Sequence, residues 1–196
     1  MHPTACDAIA DIVQNAFEAG AAHVELTVER KGHILNVTVA DDGRGMDAAT
    51  LARATDPFWT EPGKHPGRKV GLGLPFVKDA ADLCGGDFRI ESAPGRGTTV
   101  AFSFDLSSID APPLGDATAT FTSLVAYPGS HDLHITRIED DLSYDVSSSG
   151  FRDALGDLQN ASSLGLVRDF FAANEEEIRS AAPAPLSQSN DRPTNP

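Results

Sequence analysis

Leu35-Asn36-Val37-Thr38-Val39-Ala40-Asp41-Asp42-Gly43-Arg44-Gly45-Met46 is the stretch that decides the fold. Its first half alternates. Leu35, Val37 and Val39 share one face, which is the period of a half-buried strand. Its second half stops that strand with two carboxylates and two glycines. A carboxylate fixed at a strand end can accept a hydrogen bond from an exocyclic amine. The glycines let the backbone take positive φ and pass close to a flat ring. A plain Asp/Gly turn or a calcium loop is the competing reading. The EF-hand pattern fails, because acidic ligands do not follow at alternating positions.

Upstream, Val24, Leu26 and Val28 alternate in the same way, and Lys31-Gly32 fits the turn of an antiparallel hairpin. Before the hairpin, Ile9, Ile12, Val13, Ala16 and Phe17 recur at helical spacing, and Gly20 is placed to end that helix in a left-handed cap. Downstream, residues 41–73 are rich in Gly, Pro and charge, with a short helix expected within 48–54. A loop of that length in a compact domain is usually functional or disordered. A helix is expected from about Leu74 to Cys84, with Pro75 in its first turn and Gly85-Gly86 at its end. Phe88 and Ile90 begin a strand. Val100, Phe102, Phe104 and Leu106 form another after the turn Pro94-Gly95-Arg96-Gly97.

The chain is thereby divided into a domain at 1–107, a linker at 108–117 with Pro112-Pro113 and Gly115, a small α+β region at 118–182, and a disordered tail at 183–196. In the second region, strands are expected at 118–126, 132–139 and 143–146, and helices at 150–158 and 162–179. Its apolar residues Leu155, Leu158, Leu164, Leu166, Val167, Phe170 and Phe171 form a face for the first domain or for a partner. The acidic runs Glu139-Asp140-Asp141 and Glu175-Glu176-Glu177 read most simply as solvated faces.

Composition narrows the function. The 196 residues carry a net charge of −14. Residues 1–107 hold 10 basic against 15 acidic side chains, and residues 108–196 hold 5 against 14. Long-range attraction to nucleic acid or anionic lipid is disfavoured. No apolar run approaches the roughly 20 residues that span a bilayer. Neither a signal peptide nor metal-ligand cysteine spacing is visible, so Cys6 and Cys84 read as buried thiols and the expected location is the cytoplasm.

Two further clusters carry chemistry. Asp11 and Asn15, four residues apart, share a helix face beside the apolar stripe. A partly buried carboxylate and carboxamide there suit a water-activating base and a Mg²⁺ ligand; helix-surface polarity is the plainer alternative. Gly71-Leu72-Gly73-Leu74 opens the second long helix, where side-chain-free backbone presents N–H groups to phosphate. Lys64, Arg68 and Lys69 lie just upstream.

The order of these signals is more specific than any one of them. Asp11-x-x-x-Asn15, Asp41-x-Gly43-x-Gly45, Asp56-Pro57-Phe58-Trp59-Thr60, Gly71-x-Gly73 and Gly95-x-Gly97-Thr98 follow one another along half the chain. This resembles the histidine-kinase-like ATPase superfamily, with the Bergerat (GHKL) fold, and most of all the catalytic domain of sensor histidine kinases. Glu18-Ala19-Gly20-Ala21 is also similar to MutL repair proteins. The resemblance implies a two-layer α/β sandwich: a mixed, mainly antiparallel sheet covered by helices on one face, with the small C-terminal α+β region added. It implies ATP and Mg²⁺ as ligands. Asn15 matches the Mg²⁺-binding asparagine, and Asp11 sits where the family places a catalytic glutamate. Asp41 matches the adenine-binding aspartate, with Gly43, Gly45 and Met46 beside the ring. Phe58 matches the aromatic of the lid, which would span 47–70, and Lys64, Arg68 and Lys69 would close on the phosphates. Gly71, Leu72, Gly73 and Leu74 match the phosphate-side glycine motif. Thr98 matches the threonine that supports the adenine contact.

Two departures shape the expected activity. Asp11 is one methylene shorter than the usual glutamate. Only ten residues precede Asp11, too few for the helical domain that carries a phosphoacceptor histidine. His2, His23, His33, His65, His131 and His134 read as surface or strand histidines. The expectation is therefore a signalling kinase subunit that transfers the γ-phosphate to a partner protein in trans, or a slow ATPase. The alternatives are an ATP-sensing binding module and a MutL-type nucleotide-dependent dimerising ATPase, which would be a homodimer.

Overall fold

In the computed structural model, residues 4–56 and 73–181 are described. Helix α1 spans Ala5–Glu18. Thr4 caps it by accepting a hydrogen bond from the Asp7 N–H at 3.1 Å, and Gly20 follows its end at φ 76°. Its apolar stripe, from Ala5 through Ile9, Val13 and Phe17, is buried. Strands β1 (His23–Lys31) and β2 (Ile34–Asp41) form the expected hairpin around Gly32. A short helix α2 covers Ala48–Leu51, and α3 covers Gly73–Leu83. Strands β3 (Phe88–Ser92) and β4 (Thr98–Asp105) complete the part read most clearly from sequence.

The chain continues as α4 (Ala117–Val125), β5 (Asp132–Glu139), β6 (Leu142–Ser147), α5 (Ser148–Leu155) and α6 (Ala161–Ala181). The strand expected at 118–126 is a helix. Asp116 caps it by accepting from the Ala119 N–H at 2.9 Å. Ala117, Phe121, Leu124 and Val125 are its buried apolar residues, at helical spacing.

The six strands form one sheet in the order β3-β4-β2-β1-β5-β6. All pairs are antiparallel except β1 with β5, which is parallel from His23↔Asp132 to Arg30↔Glu139. The sheet is therefore mixed and mainly antiparallel, as expected. One face carries Val24, Leu26, Val28, Leu35, Val37, Val39, Val100, Phe102, Phe104, Leu133 and Ile135, all buried beneath the helices. Glu25, Asn36 and His134 on the other face are exposed.

The second region joins this core rather than standing beside it. Phe121 and Phe171 meet with ring centroids 5.6 Å apart, and both are buried with Ile9, Leu26 and Ile135 in a single cluster. Leu158 and Val167 are buried there too, whereas Leu164 and Leu166 stay exposed. The segment read as a linker is tied to the start of α1: Ala5 and Cys6 donate their N–H groups to the carbonyls of Pro113 and Leu114, both at 2.9 Å.

The acidic runs are not simply solvated. Glu139 and Glu175 are each about 6% exposed. Arg137, at 1% exposure, donates from Nη2 to Glu139 at 2.6 Å, and Tyr144 donates its hydroxyl to Glu175 at 2.6 Å. His131 is also buried, stacked on Phe17 with centroids 3.9 Å apart. That burial lowers its basicity. The tail at 183–196 lies outside the described residues.

Candidate functional site

Asp41 is the last residue of β2, and its register partners are Val24 in β1 and Thr98 in β4. It therefore sits where the middle of the sheet ends and the loop 42–47 departs. Its Oδ1 accepts from the Gly43 N–H at 2.8 Å. Partial burial raises its pKa above the ordinary 3.8, against the lowering effect of hydrogen bonds from the Gly43 and Thr98 N–H groups. A half-desolvated carboxylate of this kind gains from any further donor brought to it.

Asp42, its neighbour, does different work. Its Oδ1 accepts from the N–H groups of Ala22 at 2.7 Å and His23 at 2.9 Å. Those bonds, His23's first, hold its carboxyl below the usual value. Asp42 thus pins the entry of β1, and of the pair only Asp41 is half-buried.

The loop is clamped from both sides. Arg44 donates its N–H to the Ala19 carbonyl at 3.1 Å, and Gly95 donates to the Arg44 carbonyl at 2.8 Å. Met46 donates its N–H to Ser92 Oγ at 2.8 Å; that hydroxyl donates in turn to the Gly97 carbonyl and shares a 2.9 Å hydrogen bond with Thr98 Oγ1. Gly45 and Gly97 make this approach possible. Both have positive φ, 64° and 79°. A Cβ on Gly45 would stand 2.0 Å from the Ala93 carbonyl oxygen, and one on Gly97 would stand 1.7 Å from that of Asp41. Ser92 was not singled out from sequence as a site residue. A serine at a strand end gives no signal of its own, and only its bonds to Met46, Gly97 and Thr98 show what it does.

On the helical side, Asp11 is exposed and Asn15 half-buried, so the partly buried pair expected from sequence holds for Asn15 only. Gly73 opens α3 directly against them. A methyl group placed on it would lie 3.4 Å from Asp11 Cβ and 3.6 Å from Asn15 Nδ2. Leu74 is half-buried on the core, and Pro75 is buried in the first turn of α3. The structure therefore brings Asp11, Asn15 and Gly73 together. It separately gathers Asp41, Gly43, Gly45, Met46 and Thr98 where β2 ends and β4 begins. Phe58, Lys64, Arg68, Lys69, Gly71 and Leu72 lie outside the described residues.

Residues 4–108 match the family described as histidine kinase-, DNA gyrase B-, and HSP90-like ATPase. That is more than half of the chain, and the protein belongs to this family. It is a nucleotide-binding domain of the histidine-kinase-like ATPase type. It is 36% identical over 101 residues to the sensor histidine kinase YxdK of Bacillus subtilis, covering 50% of this chain and 31% of that protein. It is 35% identical over 96 residues to the histidine protein kinase DivJ of Caulobacter vibrioides, covering 47% of this chain and 16% of that protein. The chain thus spans less than a third of either relative. Among solved structures, the N-terminal domain of a DNA repair protein superposes with a TM-score of 0.54 at 16% identity, over 82% of this chain and 58% of that one. At that identity the likeness is one of fold. No helix among the described residues is long and apolar enough to cross a membrane.

Proposed function

We propose that the protein binds ATP with Mg²⁺ and transfers the γ-phosphate to a partner protein in trans. The observation that carries this reading is the pairing of two half-built surfaces. Asp41 offers a half-desolvated acceptor at a strand end whose backbone approach requires Gly45 and Gly97. Asp11 and Asn15 face the opening of α3 at Gly73. The first fits an exocyclic amine on a flat ring. The second fits a cation carrying phosphate oxygens.

In this reading Asp41 accepts from the adenine amine, and Thr98, held by Ser92, keeps that strand end in place. The Asn15 carboxamide oxygen is a hard donor suited to Mg²⁺, which usually takes few protein ligands beside water and phosphate oxygens. When bound, the ion neutralises charge developing on the phosphates. The N-terminal turn of α3 favours negative charge beside it. Asp11 orients the attacking group and accepts its proton. In the same reading Phe58, Lys64, Arg68 and Lys69 are assigned to the lid at 47–70, the cations to the phosphates, and Gly71 and Leu72 to the phosphate-side glycine motif; all six lie outside the described residues. A cytoplasmic setting suits a chain with two buried thiols.

The test is transfer of label from γ-labelled ATP to a co-purifying protein. Transfer should occur with the wild type and disappear in Asp41→Asn. If no co-purifying protein is labelled while the pure chain binds ATP tightly and turns none over, the reading as a kinase is wrong. That result would favour an ATP-sensing module instead. The exposed position of Asp11, on a side chain shorter than the family's glutamate, is the observation on that side.

A further inference from the structure

A cavity of about 470 Å³ opens at the opposite end of the sheet from Asp41. Val24 is the register partner of Asp41, while Arg30, further along β1, is the partner of Glu139 in the cavity wall. At a strand rise of about 3.3 Å per residue, the two ends are roughly 20 Å apart. The cavity is thus separate from the candidate nucleotide site. Its volume lies within the range of small-molecule pockets, which is roughly 300–1,000 Å³.

Arg137, Glu139 and Glu175 form the buried part of its polar lining. Arg137 is 99% buried, since its exposure is 1%. Its Nη2 serves Glu139 and its Nη1 the Ile138 carbonyl, both at 2.6 Å. Its Nε stands 3.4 Å from Glu175 but makes no hydrogen bond among the described residues. The carboxylates are partly engaged. Glu139 has Arg30 at 3.0 Å on one oxygen and Arg137 on the other. Glu175 Oε1 takes the Tyr144 hydroxyl, and Asp116 caps α4. Each guanidinium carries five donors and no acceptor. The wall sets three arginines against three carboxylates, and Arg137 Nε is its buried donor without a hydrogen bond, next to the first turn of α4, which adds the positive end of a helix dipole. Leu114, Ala117 and Ile178 supply an apolar side.

We propose that this cavity is a second ligand site, taking a small oxyanion, a carboxylate- or phosphate-bearing metabolite, against Arg30 and Arg137 with the exposed Arg179 beside them. The recognition is local, because the chain as a whole repels anions at a net charge of −14.

The proposal is tested by NMR titration of the full chain with succinate and, separately, inorganic phosphate at millimolar concentration. Saturable shifts are expected at the amides of Gly115, Ala117 and Thr118, and the tighter anion identifies the headgroup. Losing one charge-assisted contact should weaken binding roughly tenfold or more in Arg30→Gln. Arg89→Gln, the same charge change on the edge strand β3, should leave it unchanged. If Arg30→Gln does not give a folded spectrum, Arg179→Gln at the end of α6 serves in its place. Absence of saturable shifts at these amides with both anions overturns the proposal. So does equal affinity in wild type and the arginine variant.

Discussion

Replacing Asp41 by Asn removes one charge and almost no volume, so it separates recognition from folding. In the proposed complex the wild-type carboxylate accepts from an amine while its Oδ1 also accepts from the Gly43 N–H. A hydrogen bond to a charged group contributes about 1.5–3 kcal/mol net. The amide also places an NH₂ where the carboxylate had a lone pair. It faces the ligand amine or the Gly43 N–H, and leaving one donor unsatisfied costs about a further 1–3 kcal/mol. Together these weaken ATP binding by about 10²- to 10⁴-fold, since each 1.4 kcal/mol is about tenfold. Stability should move the other way. Burial raises the Asp41 pKa, so the folded state holds the proton more tightly than the unfolded chain, and ionisation costs stability as pH rises through that raised value. The neutral amide escapes this cost. Calorimetric titration at neutral pH should therefore show binding lost in Asp41→Asn, while thermal melting of the free variant is unchanged or raised. A dissociation constant within a factor of about two of wild type would refute the placement of the amine on Asp41.

The same shift makes a pH prediction. ATP affinity should fall as pH drops through a value above the ordinary aspartate 3.8, because the protonated carboxyl no longer accepts as an anion, and titrations across the acid range would follow it. Asn15→Ala should leave Mg²⁺-free ATP binding nearly intact and remove the gain that Mg²⁺ brings, read by calorimetry with and without the ion. Gly45→Ala should destabilise the fold by about 2–5 kcal/mol in chemical denaturation, from a left-handed φ on a residue with a Cβ and from the clash with the Ala93 carbonyl. Phe171→Ala should cost about 3–5 kcal/mol and lower one cooperative transition of the whole chain rather than a transition of its second half alone.

Much of the fold was legible because its signals are local. The alternation of Val24, Leu26 and Val28 and of Leu35, Val37 and Val39 set both the hairpin and its buried face. Gly20 and Gly32 marked the turns that their positive φ later required. Helix α4 was misread because Thr118, Thr120, Thr122 and Val125 are β-branched, which favours strand. The spacing of Ala117, Phe121 and Leu124 and the cap at Asp116 outweigh that preference once α6 is there to pack against. The parallel pairing of β1 with β5 was invisible for another reason. It joins segments about a hundred residues apart, and Arg137 interrupts the inward apolar series that Leu133 and Ile135 begin. An arginine carries no sequence signal of burial, and Glu139, Glu175 and the Ile138 carbonyl explain it. At the site, Asp41 was separable from Asp42 through the ordered motifs alone. Composition treats the two residues alike, while the bonds of Asp42 to Ala22 and His23 show why one is structural.

Helix α1 links these observations physically. One side of it carries Asp11 and Asn15 toward Gly73. Its buried stripe packs in the core shared with Phe121 and Phe171 of the second region, and Phe17 near its end stacks on His131. Its first N–H groups are held by the carbonyls of Pro113 and Leu114, and Gly115 lies so close that a Cβ there would meet Thr4 Cβ at 2.7 Å. The residues before α4 therefore fix the position of the helix that presents Asp11 and Asn15. A rigid helix embedded in a close-packed core moves as a unit rather than bending residue by residue. The second region, fused into the sheet, thus shares the helix on which the candidate nucleotide site is built.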